Sequence, residues 1–78
     1  MTNIELFILK YSQKLIELIY TYKDKNKVVK KIWFNNKRLS EFNLDNKIFF
    51  FFGIPCDFVM NGDKEFIELE DDLIEISL

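Results

Sequence analysis

Seventy-eight residues carrying a net charge of −2, no histidine and one cysteine make a single domain and exclude much chemistry. Without imidazole, the usual Ser/His and Cys/His nucleophile systems are absent. One cysteine and no histidine leave no ordinary zinc site, so the chain is expected to need no metal and no cofactor.

Apolar groups, by contrast, are abundant: 49% of the residues are hydrophobic and nine are Phe. A domain this short buries only roughly 60–65% of its unfolded surface. The surplus points to burial against another chain. A single cysteine cannot close an internal disulfide, which suits a reducing, cytoplasmic setting. The N-terminus lacks the pattern of a signal peptide. The longest apolar run, Ile48 to Cys56, is far short of the ~20 residues that a membrane helix needs, so no membrane partner is expected. The absence of alanine and the single arginine against ten lysines reflect AT-rich coding, found in many bacteria and their phages.

In chain order, Thr2-Asn3-Ile4-Glu5 has the form of a capping box. It predicts a long helix to about Lys23. Ile4, Phe7, Ile8, Tyr11, Leu15, Leu18, Ile19 and Tyr22 fill an arc of about 120°, the width of a core-facing stripe. Asn26 is placed to take the left-handed conformation that ends a helix. Leu6, Leu9, Ile16 and Tyr20 fall on a different side of this helix, with Gln13 among them. A helix lying on one sheet needs a single apolar face, so Leu9, Ile16 and Tyr20 are candidate protein-binding residues, and the helix a candidate homodimer seam.

From Val28 to Phe34 the β-branched and aromatic content favours a strand over a short helix. After the turn signal Asn35-Asn36-Lys37, residues 38–42 are expected to return as a second hairpin arm. The run Phe49 to Phe52 is expected to be a strand buried on both faces, because alternation sends two of its four rings each way; Gly53 and Pro55 end or bend it. A hairpin is predicted around Asn61-Gly62 with a four-residue loop, which sets Phe58 opposite Ile67 and Cys56 opposite Leu69. Glu70-Asp71-Asp72 makes an acidic turn before a last strand, with Ile74, Ile76 and Leu78 inward. One helix followed by a run of strands predicts an α+β domain over residues 1–78, with the helix packed on an antiparallel sheet of about four to five short strands.

Charge is unevenly spread. Lys23 to Arg38 holds seven basic residues and one acidic; Asp57 to Glu75 holds eight acidic and one basic. The acids match no calcium-loop spacing, and no Gly-rich phosphate cradle is present. Cys56 beside Asp57 is expected to resist thiolate formation. A catalytic pocket of a few hundred Å3 is hard to build in so small a domain.

These observations predict a non-enzymatic protein that binds another protein. Glu68, Glu70, Asp71 and Asp72 join the helix patch as candidate contacts. Size, composition and coding fit an inhibitor of a larger protein or complex encoded by a phage or mobile element, of the anti-CRISPR kind. A toxin-neutralising immunity protein is the nearest alternative. A nucleic-acid-binding module is the other, since Lys30, Lys31, Trp33, Lys37 and Arg38 interleave cations with an aromatic; overall acidity counts against it.

Overall fold

The structure, a computed structural model, describes residues 2–44, 48–60 and 62–78. It contains α1 (Asn3–Asp24), β1 (Val29–Phe34), α2 (Lys37–Glu41), β2 (Phe49–Phe51), β3 (Ile54–Phe58), β4 (Glu65–Leu69) and β5 (Leu73–Ile76). The helix begins as its sequence dictates. The Thr2 hydroxyl accepts from the Glu5 N–H at 3.2 Å, while the Glu5 carboxylate accepts from the Thr2 N–H. It ends in a Schellman motif: Asn26 sits at φ 60°, and the Asn26 and Lys27 N–H groups donate to the Lys23 and Tyr22 carbonyls.

The five strands form one sheet in the order β2-β3-β1-β4-β5. The fold is α+β, but the sheet is mixed where an antiparallel one was expected: β1 runs parallel to β3 and antiparallel to β4. Ile32 is the pivot, opposite Cys56 on one side and Ile67 on the other, and all three are fully buried. The predicted β3–β4 hairpin is therefore overturned. Cys56 and Phe58 of β3 and Ile67 and Leu69 of β4 turn inward, and β1, with Val29, Ile32 and Phe34 buried, takes the place between them. The connection 59–64 has only to cross two inter-strand spacings, about 10 Å. Of the turn pair that prompted the hairpin expectation, Asn61 lies outside the described residues, and Gly62 adopts φ 98°.

Two further expectations are corrected. Residues 38–42 do not return as a strand. They turn into the short helix α2, opened by the Arg38 and Leu39 N–H groups donating to the Asn35 and Asn36 carbonyls. The reason is Arg38, whose guanidinium is drawn inward to a buried carboxylate described below. The phenylalanine run is not one strand covered on both faces. Phe49 and Phe51 face inward, whereas Phe50 is 65% exposed on the far face and Phe52 has left the strand for a turn. Residues 45–47, just before that run, lie outside the described residues. The strand expected at 28–34, the acidic turn and the last strand are as predicted, with Ile74, Ile76 and Leu78 packed on the core.

The core lies between α1 and one sheet face. Phe7 is its hub, with Tyr11, Phe34, Phe42 and Phe49 set edge-on around it at centroid distances of 5.2, 4.8, 5.1 and 5.8 Å. Edge-to-face pairs each contribute about 0.5–1.5 kcal/mol beyond area burial. Among the described residues, no helix is long and apolar enough to cross a membrane.

Candidate interaction surface

The outer stripe of α1 is only partly covered by the described residues. Leu9 is 62% exposed and Tyr20 59%, while Ile16 is half-buried and packs against the core. Next to it rises the β2–β3 hairpin. Phe51 pairs with Ile54, so Phe52 and Gly53 are the two central turn residues, with φ of 50° and 77°. Positive φ at both positions is the type I′ condition, which matches strand twist and normally selects Asn-Gly. Gly53 meets it without strain. Phe52 does not, since its Cβ crowds the following carbonyl.

The ring so placed is 75% exposed, touching Phe51 edge-on at 4.6 Å. It forms one wall of a groove of about 230 Å3, lined otherwise by Ile54 and, from α1, Ile16, Ile19, Tyr20 and Lys23. Pockets for small ligands run to roughly 300–1,000 Å3. This groove is smaller, open and apolar, and it suits one or two inserted side chains. Lys23 is the charged group at its lip.

No helix among the described residues covers the other sheet face. Trp33 lies half-buried at its centre, its indole N–H donating to Glu68 at 3.1 Å and the Lys31 ammonium lying 4.0 Å from its ring centroid. Lys31 also pairs with Asp57 at 3.4 Å. Glu68 is thereby a partner of Trp33 within the chain, whereas Glu70, Asp71 and Asp72 stand exposed around the β4–β5 turn. The acidic candidates thus divide between a sheet face and a turn.

The basic candidates divide more sharply. Lys30 and Lys37 are exposed, and Lys31 lies on the same sheet face as Trp33. Arg38 is on the helix side. Its Nε and Nη2 donate to Glu65 at 3.2 and 3.0 Å, and its Nη1 donates to the Tyr11 hydroxyl. Glu65 is only 4% exposed and also accepts from the Asn35 N–H at 3.0 Å. The hydrogen bonds that Arg38 donates to Glu65 raise its pKa above the ordinary value, outweighing desolvation. The sole arginine therefore clamps α2 to β4 and α1. Lys30, Lys31, Trp33, Lys37 and Arg38 do not converge on one phosphate-binding surface.

Cys56 is fully buried, and burial pushes its thiol up to about 12, well away from a nucleophilic thiolate. The expected direction is correct; the dominant cause is desolvation, where the sequence had suggested the neighbouring Asp57. Among the described residues, no three acidic or cysteine side chains group closely enough to hold a metal ion.

Sequence reasoning located the helix patch but missed Phe52 and the sheet face that carries Trp33. The signal for Phe52 was present: a residue before glycine between two apolar strands occupies the turn position that calls for Asn or Asp. Comparison with protein-family models, curated proteins and solved structures finds no match.

Proposed function

We propose that this chain is a non-enzymatic protein that acts by binding another protein through the outer stripe of α1 and the hairpin tip. Ile16 and Tyr20 supply the near wall and Phe52 the far wall of a groove that receives an apolar side chain of the partner, and Leu9 extends the contact along the same stripe of α1. Lys23 at the lip suits a partner carrying an acidic group beside that side chain. The observation that carries this reading is Phe52: an aromatic residue held in a left-handed conformation with its ring in solvent, beside an apolar groove. Strained backbone positions cluster at binding sites, where the surroundings hold them in place. Three-quarters exposure leaves little folding gain to offset the strain.

A protein of this size acts on a larger partner most simply by covering a surface that partner needs, which is the logic of inhibitors carried by phages and mobile elements. The exposed Glu70, Asp71 and Asp72 offer a second, acidic contact to a basic partner, as an immunity protein would.

The test is co-purification of a tagged chain with its partner, comparing wild type with Leu9→Glu and Phe52→Asn, each first shown to be folded by circular dichroism. Loss of the wild-type partner from both variants supports the assignment. A partner retained by both overturns it.

A further inference from the structure

We infer that two copies of this chain pair through the outer edge of β2, antiparallel, about a two-fold axis at Phe50. With the ladder closed at Phe51–Ile54, Phe49 and Phe51 direct their backbone groups at β3, and Phe50 directs its N–H and C=O outward. β2 is an edge strand, and among the described residues no backbone partner meets Phe50 from outside. Such an edge is a template for another strand, and proteins usually blunt it with lysine, proline or a bulge. β2 is short, at three residues, which limits the pairing, but no lysine, proline or bulge lies between Ile48 and Gly53, where the sequence reads Ile-Phe-Phe-Phe-Phe-Gly without a charge.

The occupant follows from this neutrality and from the strand's symmetry. A hydrogen-bonded pair centred on Phe50 lets each copy donate to and accept from the other, and sets Ile48 of one copy opposite Phe52 of the other. All three side chains are more than half exposed. Charge opposes the same arrangement at the other edge. β5 carries Glu75 and follows Asp71 and Asp72, so a self-pair there would place like charges together.

The contact is small. With 150–250 Å2 for a whole aromatic side chain, the exposed parts of Phe50, Phe52 and Ile48 offer roughly 700 Å2 over two copies. That is below the 1,200–2,000 Å2 of standard stable interfaces. The dimer is therefore weak. Phe52 belongs to both this contact and the groove, so self-association and partner binding compete. The inference does not depend on the partner reading, since it rests on the backbone of Phe50.

Sedimentation equilibrium from about 5 µM to 1 mM should show the mass rising toward twice that of the chain as concentration increases. Over the same range, exchange of the Phe50 amide hydrogen should slow severalfold, a readout that needs no variant. Phe50→Lys should weaken dimerisation at least tenfold while leaving partner co-purification intact, whereas Leu9→Glu should do the reverse. A monomer throughout, or a dimer whose Phe50 amide exchanges at the unprotected rate, overturns the inference.

Discussion

Phe52→Asn separates the two demands on the hairpin tip. A non-glycine residue in the left-handed region carries about 1–2 kcal/mol of strain, and asparagine is among the few that visit it routinely. The substitution also creates Asn-Gly, the pair that a type I′ turn prefers. Against this gain stands the edge-on contact with the Phe51 ring at 4.6 Å. Such a contact contributes about 0.5–1.5 kcal/mol, at the low end for a ring so exposed. The net expectation is a stabilisation of about 0.5 kcal/mol. For a domain of this size that raises Tm by about 2–4 °C. Thermal and urea unfolding followed by circular dichroism will read it. Partner binding should fall at the same time, the pattern of a residue that costs stability in exchange for function. A loss of more than about 1 kcal/mol would refute the reasoning, because Phe52 would then be part of the folded state's support.

Other substitutions test the frame around that tip. Arg38→Met leaves the Glu65 carboxylate buried without its cation, a change that costs about 3–5 kcal/mol; since a core of this size rarely supplies more than that, the variant should be unfolded or nearly so by circular dichroism at 37 °C. Glu65 and Arg38 replaced together by apolar residues should recover much of the loss, although the Asn35 N–H that Glu65 serves would lose its acceptor. For Cys56, the folded thiol stays protonated up to about 12, whereas the unfolded one ionises near its ordinary value of 9.0. The unfolded state therefore releases the proton first, and stability should fall as pH rises from about 9 toward 12, by up to about 1.4 kcal/mol per unit. At pH 8, a thiol reagent should modify Cys56 only as fast as the chain opens. Lys30→Glu should leave both fold and partner binding unchanged, and unaltered weak affinity for single-stranded DNA would set the basic segment aside as a nucleic-acid site.

What the sequence revealed and what it hid divide along local and non-local lines. The capping box, the left-handed Asn26 and the helical stripe depend on neighbours within a few residues, and each is found in the structure as read. The β1–β3 pairing joins Ile32 to Cys56 across intervening elements, and no turn signal announces a parallel neighbour. Asn61-Gly62 misled because a turn motif reports that the chain reverses and is silent on whether a third strand slips between the arms. Arg38 misled because its type suggested a surface cation, while its partner, Glu65, is one of eight acids between Asp57 and Glu75 and nothing in the spacing singles it out. Leu9 and Tyr20 were legible as an outer patch because helical spacing alone sets their direction. Phe52, set across from them by tertiary packing, was not.

The central position of β1 bears on how the chain is made. During synthesis, Val29–Phe34 emerges well before either of its flanking strands, and Ile32 stays unpaired until residues near Cys56 and then Ile67 have followed. Through that interval the nascent chain displays consecutive phenylalanines and an unfinished sheet, the kind of surface that chaperones hold. Output from a fast expression host should therefore be set by chaperone supply and translation speed more than by the final stability of the product.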